Sequence, residues 1–541
     1  MVFLCLRGCP NVTSLPALGQ LPSLRELSLE GLHAVSMIGA EFYGSKRPFS
    51  SLTTLKFEEM LAWKDWSHYA GGQEEEVPFS YLQHLIVRSC PSLIGILPCQ
   101  LDRLIKLEIH TCSHLNNSTS EVCFPSLHEL YLENCNKEIF KSLVNLPSLT
   151  VLRIENLVEL VCFDHGFMSS LVRLKELYIG QCDKLTYLWQ DKNELRNLTC
   201  LQELPIQSHP QFTSFVAGEG EIELPSNLER MELRECRSLE KLPSKMHTLK
   251  DLIIEKCPKL MGLTIAPDDP TSNILMPHLT AVKTLVIRKC DGVKSLEEVT
   301  TESLTSLDIE FCKNLGSLPP LCHLTRLVLR VYPALEIEDF PPLSMELSFL
   351  TLMICPKIKS LPNQWHHLTS LRSLSIIRCQ NIRCLPKGGL PPNLVQLKIS
   401  ECENLKQPMR EWGIHLLTSL HTLTIDGSMG GEGEKVWFPS EDEEDPWSLF
   451  IPSSLKWLYI INMRNVERLS SGLRNHSSIR LLGIEDCPRL RYLPRDGLPP
   501  FLQELDIRRC EILKKGCSKT GHYWPLIQEI PSILIDYDRI R

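Results

Sequence analysis

The chain has 541 residues, with 57 Lys and Arg against 65 Asp and Glu and a formal net charge of −8. This mild acidity offers no electrostatic footprint for nucleic acid or an anionic membrane, and no run of about 18 apolar residues predicts a membrane span. Met1–Arg7 lacks the basic and apolar regions of a signal peptide. We therefore expect a cytoplasmic or nucleo-cytoplasmic protein that is not secreted and keeps its 22 cysteines mostly as thiols.

One phrase, L-x-x-L-x-[LIVF]-x-x-C, recurs along the whole chain and predicts its main elements. Its Leu-x-Leu alternation is typical of a short strand with both side chains on one face. A single repeat cannot bury that face, whereas stacked repeats can, and the mean spacing of about 25 residues lies within the leucine-rich-repeat period. We predict an α/β horseshoe solenoid of about 21 leucine-rich repeats with a parallel concave sheet. The second Leu position falls at residues 4, 27, 55, 85, 107, 130, 152, 177, 204, 231, 252, 285, 307, 327, 350, 374, 397, 423, 458, 482 and 505.

A Cys position and an irregular return segment follow each predicted strand. Fourteen cysteines occupy the place that other leucine-rich repeats fill with Asn or Cys. We interpret them as small buried side chains that turn the chain off the strand; the alternative is a metal or redox ladder. Pro residues in the return, as in Leu15-Pro16, block strand pairing and helix continuation. We expect a convex side of 3₁₀ turns and irregular loops with a few short helices.

The repeats predict a continuous solenoid over residues 1–510 and a C-terminal capping segment over 511–541, with a final strand near 533–535. Inserted loops interrupt the period near 61–79, 264–278 and 428–452. The first and third contain acidic runs, 71–76 and 441–445, which we interpret as solvated loops. The third also contains Trp437, Phe438 and Trp447, which leave a contact role open.

The outward residue three positions after the second Leu is charged in 14 of 21 repeats, so we expect this column to face water. Arg234, Glu255, Arg288, Glu310 and Arg330 alternate in sign on successive strands. Neighbouring strands lie about 4.8 Å apart. The pattern therefore predicts that these charges neutralise each other in a ladder.

The charged column then stops, and outward apolar and aromatic residues follow it. Such residues on a sheet face are typical of protein-binding sites, because aromatic anchors dominate binding hot spots. We predict a partner-binding surface of Met353, Ile377, Arg378, Lys398, Asp426, Trp457, Tyr459 and Ile461. A second outward set is Tyr131, Arg153 and Tyr178; either set can instead face another part of the same protein.

Both ends of the chain carry motifs more specific than the repeat. The N-terminal part contains Leu15–Leu24 (LPALGQLPSL), then Glu41–Gly44 (EFYG), Phe57–Met60 (FEEM), Trp63 and Trp66. The C-terminal part contains Cys517, Gly521–Ile527 (GHYWPLI) and Ile530–Asp536 (IPSILID). With the repeat body between them, these motifs resemble the leucine-rich-repeat region of plant coiled-coil NB-LRR (NLR) disease resistance proteins over nearly the whole chain.

The resemblance implies an arm of an intracellular immune receptor. In that family the repeats sense a pathogen effector, or a host protein that the effector alters, and they fold back on a nucleotide-binding module and restrain it. The expected partners are therefore a protein and, within a full-length receptor, that module. No G-x-x-x-x-G-K-[ST] motif occurs here, so we expect no cofactor in this chain; ADP or ATP would belong to a nucleotide-binding domain outside it.

No catalytic or metal-binding constellation stands out, since H-E-x-x-H, nucleophile-elbow and dinucleotide motifs are missing, and we expect no enzyme. Met1 takes the first Leu position of a repeat. This predicts an uncovered end, as in a fragment, a truncated product or a chain that needs a covering partner.

Two other classes of function stay open. Sequons at Asn11, Asn116, Asn117, Asn197 and Asn475 would suit an extracellular receptor ectodomain, although the N-x-L-x-G-x-I-P pattern of such repeats is missing. Repeats with this Cys also occur in ubiquitin-ligase adaptors, although no F-box-like N-terminal helix precedes them.

Overall fold

The fold is known from a computed structural model. It describes residues 2–44, 47–67, 69, 77–94, 97, 101–115, 124–141, 143, 146–163, 167–218, 222–243, 246–261, 279–296, 299, 302–316, 318, 321–333, 343–359, 361, 365–386, 389–429, 436–439, 447 and 450–540. The predicted loop 264–278 and the acidic runs 71–76 and 441–445 lie outside these residues. The chain forms two compact units, Met1–Val282 and Lys283–Arg541.

Within the first unit, eleven five-residue strands pair in parallel, each in register with the next one along the chain. Each strand begins one residue before the second Leu position of its repeat. The strands are Phe3–Arg7, Glu26–Glu30, Thr54–Glu58, His84–Arg88, Lys106–His110, Glu129–Glu133, Val151–Glu155, Glu176–Gly180, Glu203–Gln207, Arg230–Arg234 and Asp251–Glu255.

The second unit contains ten strands of the same kind, again parallel and in register. An eleventh strand, Ser532–Ile535, continues the sheet in parallel, and Asp538–Arg539 folds back antiparallel to it. The ten are Thr284–Arg288, Ser306–Glu310, Arg326–Arg330, Phe349–Met353, Ser373–Ile377, Gln396–Ser400, Thr422–Asp426, Trp457–Ile461, Leu481–Glu485 and Glu504–Arg508. All 21 predicted repeat strands are present, so the predicted leucine-rich-repeat solenoid is confirmed.

The return segments are mostly irregular, as predicted, with short pieces of regular structure among the described residues. Two-residue strands pair as Met37–Ile38 with Asp65–Trp66 and as Trp437–Phe438 with Arg468–Leu469. The α-helices are Ala40–Tyr43, Lys192–Asn197, Glu511–Cys517 and Trp524–Ile527. The 3₁₀ helices are Leu18–Gln20, Lys137–Lys141, Met168–Ser170, Trp365–His367, Met409–Trp412, Ile414–Leu416 and Leu473–Asn475. In the described part of the chain, no helix has the length and apolar character needed to cross a membrane.

The core of each unit is built from stacked columns of apolar side chains. The two inward residues of nearly every strand are fully buried, and each contributes roughly 1.5–3 kcal/mol, which the entropy of ordering the chain largely offsets. The aromatic residues of the N-terminal motif are part of this core, where Trp66 Nε1 donates to Tyr43 Oη at 2.9 Å. This buried cluster contains Phe42, Tyr43, Phe49, Phe57, Trp63, Trp66 and Phe79.

Thirteen of the fourteen cysteines of the predicted column are buried, which supports their interpretation as structural thiols, whereas Cys9 of the first repeat is exposed. Cys135 Sγ donates to Glu133 O of its own repeat at 3.2 Å and to Ile109 O of the preceding strand at 3.4 Å. Burial raises the pKa of Cys135, like that of Cys182, to about 12. Because the thiolate is the reactive form of cysteine, the raised pKa makes these two thiols less reactive than an exposed cysteine. Within the described residues, no group of three or more His, Cys, Asp or Glu could hold a metal ion.

A left-handed residue follows twenty of the 21 repeat strands, with φ between 48° and 67°. In 17 of the twenty, the backbone N–H donates to the last carbonyl of the next strand, as Ile354 N does to Ile377 O at 2.8 Å. Glu401 N and Arg509 N donate instead to the carboxylates of Asp426 and Asp536. Only two of the twenty are Gly, and three are β-branched, namely Thr111, Val331 and Ile354. This conformation costs an L-residue roughly 1–2 kcal/mol, so hydrogen bonding between repeats outweighs the local preference of the residue.

Candidate functional site

The first, third and fifth residues of each strand point away from the core, and register decides which of them are neighbours. In the second unit, Met353 pairs with Ile377, which pairs with Ser400. Farther along, Asp426 pairs with Ile461. Apart from Arg378, the predicted partner-binding residues therefore occupy outward positions on one sheet face, where they form two patches.

The first patch is Met353 and Ile377, which are half-buried side by side. Lys398 is exposed in the neighbouring row, between Ser375 and Thr424. Arg378 is not on the sheet face. It is the left-handed residue after the strand, with φ 54°, and its Nε donates to Glu401 Oε2 at 2.7 Å. Arg378 thus lies at the rim of the patch, where its charge is already paired.

The second patch lies on one strand, where Trp457, Tyr459 and Ile461 alternate outward. The Trp457 side chain is 40% exposed, a high value for so large an apolar residue. The Tyr459 ring lies over Gly483 of the next strand, where an added Cβ would come within 2.5 Å of Cδ1. Burial raises the pKa of Tyr459 above its usual value. Because Gly483 has no side chain, it leaves the space that the Tyr459 ring occupies.

Two residues of the second patch are not among the predicted ones, namely Leu481 and Gly483. Leu481 pairs with Trp457 and is half-buried beside it. Leu481 could have been predicted from the sequence, because it is an apolar residue at an outward strand position. A Gly inside a strand is likewise typical of a place where another group approaches closely.

The expectation that Asp426 faces water and binds a partner is wrong, because this residue is 0% exposed. Its carboxylate accepts hydrogen bonds from Glu401 N at 2.9 Å, Ser428 N at 2.7 Å and Asn462 Nδ2 at 3.1 Å. These donors offset the cost of burying a charge. Ser400, at 2% exposure, is also buried. The two buried polar residues separate the two patches.

The predicted charge ladder is present within each unit, with one change. Arg234 Nη1 lies 3.0 Å from Glu255 Oε2, and Arg330 Nη1 lies 3.3 Å from Glu310 Oε2. The nearest partner of Arg288, however, is Asp308 on the neighbouring row, at 2.7 Å rather than the 3.8 Å to Glu310. The Arg and acidic side chains of the ladder neutralise each other, so little charge is left for a partner.

The second predicted set, Tyr131, Arg153 and Tyr178, lies on three adjacent strands in register. The Arg153 guanidinium approaches both rings, at 5.6 Å and 5.9 Å from their centroids. It also donates to Glu176 Oε1 at 2.8 Å. Because these groups satisfy each other, this set has less to offer a partner than the patch around Trp457.

A titratable cluster beside this set is not evident from the repeat pattern. His110 Nδ1 lies 2.7 Å from Glu133 Oε2, and His110 Nε2 lies 3.3 Å from Glu108 Oε2. The hydrogen bond with His110, followed by those with Lys106 and Arg88, lowers the pKa of Glu108. The same bond to Glu108 raises the pKa of His110. The cluster is internally paired on the sheet face.

These features define a leucine-rich-repeat solenoid with an outward, partly aromatic patch. No protein-family model matches the chain. Its sequence is 25% identical to disease resistance protein At3g14460 of Arabidopsis thaliana over 98% of this chain and 44% of that protein. It is 30% identical to the disease resistance RPP13-like protein 1 of the same plant over 44% of this chain and 21% of the relative. For TMV resistance protein N of Nicotiana glutinosa, the identity is 25% over 65% and 29%.

The sequence is thus similar to plant disease resistance proteins over nearly its whole length, which agrees with the resemblance of its motifs. It spans less than half the length of each of these relatives. Among solved structures, the TLR13–ssRNA13 complex matches 95% of this chain and 78% of that chain at 15% identity, with a TM-score of 0.43. The Toll–Spatzle complex of Drosophila matches 94% and 60% at 14% identity, with a TM-score of 0.47. Similarities at this level add nothing on function.

Proposed function

We propose that this chain is the protein-recognition arm of an intracellular plant immune receptor, which senses a pathogen effector or an effector-modified host protein. The observation that carries the proposal is the patch of Trp457, Tyr459, Ile461 and Leu481 on the sheet face. Aromatic side chains that are partly exposed on a rigid element are typical anchors of protein interfaces. The three relatives reported above are named as resistance proteins, which supports a role in defence.

Charge substitution on the sheet face tests this proposal. The double variant Ile377→Glu/Trp457→Glu should abolish capture of a specific protein from pathogen-treated leaf extract, because each carboxylate would have to be desolvated in the interface. The control is Leu416→Glu, which alters an apolar residue that is 71% exposed on a return segment. It should capture the same protein as the native chain.

The captured protein is identified by mass spectrometry, purified and titrated against all three chains, whose folding is compared by circular dichroism. A purified protein that binds the folded double variant as tightly as the native chain would refute recognition through this face. If the double variant binds as tightly as the native chain and Leu416→Glu loses binding, the recognition surface lies on the return side.

We further propose that the arm restrains a nucleotide-binding switch that holds ADP or ATP outside this chain. Sequencing the transcript upstream of Met1 tests this part of the proposal. A reading frame that continues into a nucleotide-binding module would support it, whereas a stop codon in frame would leave a recognition protein without a switch to restrain.

A further inference from the structure

The C-terminal part of the second unit is basic in a chain that is acidic overall. Residues 463–526 contain 12 Lys and Arg against 7 Asp and Glu, whereas the whole chain has a net charge of −8. The excess is local, so it creates a positive field over a few repeats rather than over the molecule. Such a field recruits an oppositely charged partner at short range.

Most carboxylates of this region already have partners. Arg509 pairs with Glu485 and with Asp486, and Arg508 pairs with Asp506. These pairs lie on or next to the strands. Asp496, on the return side, accepts a hydrogen bond from Gly472 N at 2.9 Å. Four carboxylates, Glu467, Asp496, Glu504 and Glu511, have no ion pair among the described residues, against nine such cations, so the region keeps a positive excess.

Six exposed cations on the return side have no carboxylate partner among the described residues. They follow the buried Cys column of their repeats or belong to the capping segment that packs against those repeats. The six are Arg474, Arg489, Arg491, Arg495, Lys515 and Lys519.

Tyr523 makes hydrogen bonds to both the capping segment and the return segment of the last repeats. Its Oη donates to Arg491 O at 3.1 Å and accepts from Leu493 N at 3.2 Å. Its backbone N donates to Gly516 O, next to Lys515, at 2.9 Å. These hydrogen bonds therefore bring the segment that contains Arg491 and the segment that contains Lys515 to the same tyrosine.

An arginine in contact with two aromatic rings borders this surface. The guanidinium of Arg468 lies 4.7 Å from the Trp437 ring centroid and 4.4 Å from that of Tyr492. Tyr492 is itself 42% exposed. A stacked guanidinium is pre-organised and presents its N–H edge, which matches the plane of a carboxylate.

We propose that this basic–aromatic face, formed by the six cations with Arg468, Trp437 and Tyr492, binds an acidic, extended segment of a partner protein. Carboxylates fit the stacked guanidinium, and apolar side chains of such a segment can contact the exposed tyrosine. The net negative charge of the whole chain acts against every anionic partner and most against one that extends beyond the local face, as a nucleic acid or an anionic membrane does. A short acidic segment can lie within the face, where the local charge is positive. The face lies on the return side, so it is separate from the patch around Trp457 and independent of the proposed recognition of an effector.

Fluorescence anisotropy of the purified full chain tests the proposal. The probe is a fluorescein-labelled dodecapeptide of Glu and Asp with a central Tyr, beside a peptide in which Gln and Asn replace the acids. We expect the acidic peptide to bind, more weakly at high salt, and the neutral peptide not to bind. The variant Arg489→Glu/Arg491→Glu/Lys515→Glu should weaken binding by about tenfold or more, as expected for reversed charge pairs.

The matched control reverses three exposed cations of the first unit, Arg237→Glu, Lys241→Glu and Lys259→Glu, which changes the net charge equally. It should bind the acidic peptide almost as the native chain does. If the glutamate variant does not fold, Arg491→Gln/Lys515→Gln should still weaken binding measurably. Absence of binding, equal weakening in the control, or tighter binding of a single-stranded oligonucleotide or phosphatidylserine vesicles than of the peptide would overturn the proposal.

Discussion

His209 occupies the Cys column in the repeat after Cys182, and it is fully buried. Its Nε2 donates to Ile179 O at 3.0 Å, and its Nδ1 accepts from Cys182 N at 3.2 Å. Cys510 makes the equivalent two contacts, with Ile484 O at 3.7 Å and Cys487 N at 3.4 Å. The imidazole thus replaces a thiol. Its Nδ1 also lies 3.0 Å from Cys182 O, to which a protonated ring could donate, so the cost of charging the ring comes from its burial.

Protonation of His209 should therefore destabilise its repeat. Burial lowers the pKa of this imidazole below the 6.5 of an exposed histidine. The unfolded state then binds more protons than the folded state in the window between the lowered value and 6.5. The free energy of unfolding is consequently highest above this window. It decreases by about 1.4 kcal/mol for each unit by which the pH is lowered inside the window.

The variant His209→Cys should remove this pH dependence. Its thiol can keep both hydrogen bonds, so we expect a loss of only about 1 kcal/mol at neutral pH from the smaller volume. His209→Ala is the matched control. It leaves a buried N–H and a buried carbonyl unpaired, at about 1–3 kcal/mol each.

Hydrogen exchange of peptides from residues 176–216, at pH values above and below 6.5, measures these effects, because repeats open locally. Exchange rates are corrected for their intrinsic pH dependence, and peptides of the second unit serve as an internal reference. If the exchange protection falls equally at low pH in the native chain and in His209→Cys, the role of His209 protonation is refuted. The role of its two hydrogen bonds is refuted if His209→Ala is as well protected from exchange as His209→Cys.

Two further substitutions test other features of the second unit. Ile354→Asn replaces a β-branched residue at φ 53° with one that tolerates this conformation, so the thermal unfolding midpoint should rise, with a gain of about 1 kcal/mol; a lower midpoint would contradict the assigned strain. Asp426→Ala removes the acceptor of two backbone N–H groups, at a cost of about 1–3 kcal/mol each. Urea unfolding should begin earlier, and an unchanged midpoint would show that this carboxylate is not buried.

The strands were predictable because their cause is local and repeated. Each strand can be predicted from its own residues alone. The local pattern is two apolar residues at alternate positions, such as Leu374 and Ile376, followed by a small residue. The left-handed residue after each strand was not predictable. Val331 and Ile354 disfavour that conformation, and only the hydrogen bond to the next strand explains it.

The candidate site divides in the same way. Trp457, Tyr459 and Ile461 were predictable as outward residues, because alternation along one strand decides the side on which a residue lies. Asp426 occupies an outward position by the same rule, yet it is buried, because donors from two other repeats surround its carboxylate.

The sequence by itself determined the class of fold, the number and position of the repeat strands, and the relation to plant disease resistance proteins. These follow from periodic burial and from short motifs, which are properties of the chain read in order. Only the tertiary structure decided which charges pair, which outward residues stay exposed, and that cations from two repeats and the cap share one face around Tyr523. The physical reason is that pairing and exposure depend on distances between residues about 20 or more positions apart, which no local pattern encodes.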